Sequence, residues 1–126
     1  MVVSLYSFNM VIKKFEDIVA WQRAQDLAVE IFSEFNELKH FAFRDQILRA
    51  VVSISNNIAE GFDRSSDADF SRFLYIAAAS VSETKSMLYL AERLKFINSD
   101  RKIQLIEKSD EVSRIIRRLI KSIAPK

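Results

Sequence analysis

Cysteine is absent from the 126 residues, and glycine, proline and histidine occur once each, as Gly61, Pro125 and His40. Without cysteine there is no disulfide, no thiolate nucleophile, and no cluster or zinc site built on thiolates. A single imidazole excludes, within one chain, sites that need two, among them the HExxH zinc motif and the paired Glu-x-x-His di-iron arrangement. A single glycine excludes the phosphate loop and the GxGxxG turn, whose backbone must approach phosphate at several positions. The same scarcity removes the residues that make tight reversals, so an all-β fold rich in hairpins is not expected. Long apolar runs are missing too. Residues 1–12 (MVVSLYSFNMVI) are mostly apolar, but no basic residue precedes them and no small-residue cleavage site follows. They are also shorter than the ~20 residues a membrane span needs, so neither secretion nor a membrane is expected, and the cytoplasm is the expected location.

Apolar residues make up 49% of the chain and charged residues 29%, which suits one folded domain and not a disordered chain. The apolar residues recur at helical spacing. Trp21, Ala24, Ala28, Ile31, Phe35 and Leu38 form one stripe and predict a helix over 17–38. Phe43, Ile47, Ala50, Val51, Ile54, Ile58 and Phe62 predict a second over 43–60, with Gly61 as its left-handed C-terminal cap. Ser66-Asp67-Ala68-Asp69 has the capping pattern of a third helix, which runs to about Lys95. Its stripe of Phe70, Phe73, Leu74, Ala77, Val81, Leu88, Ala91 and Leu94 is joined by Ile76, Met87 and Leu90, so it carries more than one apolar face. Asn98 or Ser99 caps a fourth helix, with Ile103, Ile106, Val112, Ile116, Leu119 and Ile123 apolar, ending near Pro125. Links this short force alternating directions, and the expected fold is all-α, an antiparallel up-down-up-down four-helix bundle over 15–124. Residues 1–14 form an N-terminal arm or extension. Met10 raises the alternative that residues 1–9 derive from an upstream start. The small-residue run Ala77-Ala78-Ala79-Ser80 marks a close approach, either an internal helix crossing or a contact between subunits.

The net charge is only +2, but it is unevenly distributed. Residues 1–62 carry 6 basic and 8 acidic side chains, and residues 63–126 carry 13 and 9, so the two halves differ in sign. From Ser113 onward there are Arg114, Arg117, Arg118, Lys121 and Lys126 and no acid. The first four share one face of the fourth helix, either complementing the helix dipole or contacting phosphate. A few contacts per chain bind weakly, so nucleic-acid binding would depend on several copies pooling their patches. Carboxylates occur on every helix, Glu30, Glu60, Glu83 and Glu107 among them, but with one histidine no metal and no cofactor is expected. Glu60 and Glu83 could form an acid pair, although such groups more often satisfy amides and caps. His40 sits in a link, where a solvated or capping role is usual. Trp21, Tyr75 and Tyr89 read as core or interface before base-stacking platforms.

Phe15-Glu16-Asp17-Ile18, Ala20-Trp21-Gln22, Gln46-Ile47, Arg49-Ala50, Ser53-Ile54, Asn57-Ile58-Ala59-Glu60-Gly61, Phe70, Arg72-Phe73-Leu74, Ile76-Ala77, Ser80 and Glu83 together resemble the bacterial four-helix-bundle family of 23S rRNA intervening-sequence proteins. The resemblance spans about 15–123. It implies a small bundle assembled as a homopentamer, with no enzymatic activity established, and an architecture similar to the pentameric accessory protein of diversity-generating retroelements. Four positions depart from the family pattern: Ser55 for proline, Ala79 for glycine, Leu48 for a basic residue and Lys85 for an acid. The expectation is therefore a non-enzymatic, self-assembling bundle that binds RNA or DNA through Arg114, Arg117, Arg118 and Lys121, with Arg64 and Arg72 contributing. Trp21, Asn57, Glu60, Gly61, Phe73 and Glu83 serve as structural motif residues. The alternatives are a scaffold for a protein partner, or an accessory subunit to a nucleic-acid enzyme.

Overall fold

The computed structural model describes residues 3–5 and 10–123. Within them, strands β1 (Val3–Leu5) and β2 (Met10–Ile12) precede a 3-10 turn at Phe15–Asp17 and four helices. The helices are α1 (Val19–Phe35), α2 (Phe41–Phe62), α3 (Asp67–Arg93) and α4 (Ser99–Ile123). Met1, Pro125 and Lys126 lie outside the described residues.

Polar contacts between helices fix their directions. Along the α1/α4 seam Arg23 meets Glu111, Glu30 meets Lys108 and Glu34 meets Arg101. Along α2/α3, Gln46 meets Glu83, Ser53 meets Ser80, and Phe62 stacks edge-on against Phe70. In each seam one number rises as the other falls, which is the antiparallel arrangement. Each helix packs against its sequence neighbour, and α1 closes the ring against α4. The bundle has one core, in which Ala24, Ile31, Phe35, Ile47, Ile54, Ile58, Phe70, Leu74, Leu88, Leu105 and Ile116 are fully buried. Its four buried hydroxyl residues, Ser55, Ser80, Thr84 and Ser109, all have hydrogen-bond partners.

Helix ends follow local chemistry. The Ser66 hydroxyl accepts from the Asp69 amide at 3.1 Å, as its capping pattern predicts. Asn98, the first of the two candidate caps, accepts from the Arg101 amide at 2.8 Å. His40 caps α2, its Nδ1 accepting from the Phe43 amide at 3.4 Å. Helix α1 starts two residues later than expected because Phe15–Asp17 coil into the 3-10 turn. There Phe15 and Trp21 meet edge-to-face at 5.3 Å, and Gln22 ties its side chain to the Glu16 carbonyl.

One expectation about the helix ends is corrected. Gly61 is not a left-handed cap, because it lies inside α2 and has no positive φ. The positive φ belongs to Lys95 (64°), just beyond α3. There the Phe96 amide donates to the Ala91 carbonyl and the Lys95 amide to the Glu92 carbonyl, the paired bonds of a Schellman cap. In the small-residue run Ala77, Ala78 and Ser80 face inward, with Ser80 against Ser53 of α2, and Ala79 is exposed. The arm also has structure, since β1 and β2 pair antiparallel with Val3 opposite Ile12, and β1 runs beside α4. A start at Met10 would remove β1 and leave β2 unpaired.

Candidate nucleic-acid interface

The cationic side chains of α4 divide into two sets. In its first half each is paired across a seam. Arg101 donates to Glu34 at 2.6 Å and to Glu30 at 3.3 Å, Lys108 meets Glu30 at 2.9 Å, and Lys102 meets Glu92 at 3.5 Å. Partial burial raises the Glu30 carboxyl's pKa, but Lys108 and Arg101 outweigh that and hold it below the usual carboxylate range. The bonds to Glu34 and Glu30 push Arg101 up, and Glu30 does the same for Lys108. Sequence reasoning misses this clasp. Its signal is Glu30 and Glu34 one turn apart opposite Arg101 and Lys108 two turns apart, which becomes readable only once α1 is known to face α4.

Beyond Glu111 the pattern changes. Arg114, Arg117, Arg118 and Lys121 are all exposed, and none forms an ion pair among the described residues. Their spacing of three, one and three confines them to roughly a third of the helix circumference. Arg64 and Arg72 stand at the same end of the bundle, where α2 gives way to α3, but they are engaged. Both stack on Phe73, with guanidinium carbons 4.8 and 4.7 Å from the ring centroid. Arg64 also bonds Glu60 at 3.0 Å, and Arg72 lies 3.7 Å from Asp69.

The other motif residues build the α2/α3 contact. A β-carbon on Gly61 would stand 2.5 Å from the Phe73 β-carbon, so its absence lets the helices close at this point. Asn57 donates to the Ser53 carbonyl at 2.8 Å and to its hydroxyl at 2.9 Å, and that hydroxyl meets Ser80 at 2.8 Å. Trp21 is half-buried against Phe15. Tyr75 and Tyr89 are not core residues, being 58% and 50% exposed. Glu60 and Glu83 do not form an acid pair: Glu60 sits beside Arg64, whereas Glu83 bonds Gln46 two-thirds of the way along α3. Antiparallel register separates them by ~20 Å along the bundle. No group of three His, Asp or Glu side chains is placed to hold a metal among the described residues. The departures from the family pattern are accommodated: Ser55 is buried and accepts from Gln25 at 2.9 Å, Lys85 pairs with Asp110 of α4, and Leu48 packs half-buried on the core. Among the described residues no helix is long and apolar enough to cross a membrane.

No curated protein matches the chain. A crystal structure of a protein of unknown function from the S23 ribosomal protein family of Bacteroides thetaiotaomicron is 31% identical, with a TM-score of 0.76, covering 81% of this chain and 98% of that one. The model of the family described as 23S rRNA-intervening sequence protein matches residues 16–118. That match takes in α1, α2, α3, α4 as far as Arg118 and every motif residue at the α2/α3 turn, and the chain belongs to the 23S rRNA-intervening sequence protein family.

Proposed function

We propose that this protein is a non-enzymatic, cytoplasmic bundle that self-assembles, as the homopentamer implied by the sequence resemblance, and docks RNA or DNA on the last three turns of α4. One observation carries the reading: along a single helix, every cation up to Lys108 is neutralised by a neighbouring carboxylate, and every cation from Arg114 to Lys121 is exposed and unpaired among the described residues. Helix-dipole compensation needs only charge in the last turn. Arg114 lies more than two turns from the end of α4, so the patch exceeds that requirement. Docking is electrostatic and independent of sequence, because exposed guanidinium and ammonium groups bind phosphates without reading base edges. Assembly multiplies the patch and makes a small number of phosphate contacts per chain sufficient.

Filter binding of a duplex RNA across a salt series tests this reading. Replacing Arg114, Arg117, Arg118 and Lys121 by Ala should weaken binding alike for unrelated sequences and reduce the log–log salt slope by about 0.9 for each phosphate no longer neutralised. Unchanged affinity and slope would reject the patch. A protein partner is the second reading, favoured by the exposed Tyr75, Ile76, Tyr89 and Leu90 on α3. A partner retained in a pull-down after nuclease digestion would favour it.

A further inference from the structure

The α2/α3 turn brings two guanidinium groups to one aromatic ring. Arg64 comes from the link after α2 and Arg72 from the second turn of α3, and each lies within 5 Å of the Phe73 centroid. The two cations are therefore no farther apart than about twice that distance. Phe73 is only 7% exposed, with both guanidinium groups over its ring, and Gly61 gives its β-carbon room to sit there. Like charges held this close repel, and the nearby carboxylates Glu60 and Asp69 offset the repulsion. Both ion pairs are open to water, with the two arginine side chains 44% and 59% exposed, so they are exchanged for another anion at little cost. Each pair occupies one nitrogen of a guanidinium that carries five N–H donors. Contact with the ring restrains both side chains in advance, leaving less side-chain freedom to lose on binding.

We propose that Arg64 and Arg72, stacked on Phe73, form a second phosphate site, a two-arginine fork for the phosphodiester backbone of a nucleic acid. The site is made by the guanidinium groups and not by the start of α3, whose first turn already carries Asp67 and Asp69. The proposal rests on the nucleic-acid reading of α4 and adds a separate contact at the same end of the bundle.

The test follows the arginine Nε–H resonances while inorganic pyrophosphate is added, and measures single-stranded RNA binding against salt for the wild type, R64A/R72A and R64K/R72K. Saturable shifts at Arg64 and Arg72 are expected, with Arg23, paired to Glu111 at 3.2 Å, unmoved. R64A/R72A should flatten the salt slope by about 0.7 per arginine removed. R64K/R72K should keep the slope and lose about threefold or more in affinity, because an ammonium supplies the charge without the planar fork. Unmoved Arg64 and Arg72 resonances, or R64K/R72K binding as tightly as wild type, would overturn the fork. If RNA still binds in that case, the α4 reading stands. Shifts with pyrophosphate but no RNA binding at low salt would overturn both nucleic-acid assignments.

Discussion

An alanine at position 61 would place its β-carbon 2.5 Å from that of Phe73, and neither atom sits at the end of a flexible side chain that could turn aside. Helix propensity favours Gly61→Ala by about 1 kcal/mol, but separating two packed helices costs about 1–3 kcal/mol, and a contact this short belongs at the upper end. A net loss of about 2 kcal/mol is expected, read as a lower urea midpoint with an unchanged slope. At Lys95 the balance runs the other way. A left-handed conformation costs a side-chain-bearing residue about 1–2 kcal/mol, and the extra freedom glycine brings to the unfolded chain returns part of that. Lys95→Gly should therefore stabilise by about 0.5–1 kcal/mol at fixed protein concentration. The only glycine invites assignment as a cap, since one sequence shows where positive φ is cheap but not which helix comes near. The helix crossing that requires Gly61 is a tertiary fact. The Schellman cap at Lys95 formed without glycine because its two hydrogen bonds and the Phe96 stack on Phe43, 5.1 Å between centroids, hold it in place.

Helix α4 is held to α1 by Arg101 and Lys108 and to α3 by Lys85 and Lys102. Glu30 accepts from two of these cations, and its folded pKa lies below its unfolded one. The stability it contributes is therefore complete above the unfolded value, about 4.3, and is lost as pH falls through the lower folded value. Urea midpoints measured from pH 7 down to 3 should show Glu30→Gln less stable than wild type near neutrality, with the gap closing in acid. A gap that stays constant would mean that the Glu30 charge contributes nothing. Periodicity made the inward faces legible: Ala24, Ile31, Phe35, Ile47, Ile54, Phe70 and Ile116 are on predicted stripes and are buried. Ends were legible where a side chain caps them, at Ser66 and Asn98. The α1/α4 clasp was not legible, because an ion pair 71 residues apart has no local pattern and depends on which helices become neighbours. In the same way the basic residues of α4 could be counted from sequence, but only the fold separates the neutralised from the unpaired.

Not every predicted apolar position is inside. Ile76, Leu90, Leu94 and Ile103 are 40–49% exposed, and the first two share the outer face of α3 with Tyr75, Ala79 and Tyr89. The middle of that face is small, with Ala79, Ser82 and Ser86, and its two ends are bulky, so a second helix could settle along it between the tyrosines. The internal bundle has already satisfied α3 on two sides, against α2 and α4. This outer surface contributes nothing to the protomer's core, and charging it should leave the protomer folded while removing any assembly built on it. Ile76→Glu with Leu90→Glu is expected to convert the proposed assembly to monomers in native mass spectrometry, with helical content unchanged. RNA affinity should fall in the same variant although every α4 cation remains, because a monomer presents one patch where an assembly presents several. Monomers that bind RNA as tightly as the wild type would disconnect copy number from binding. An assembly that survives both glutamates would move the contact away from this face.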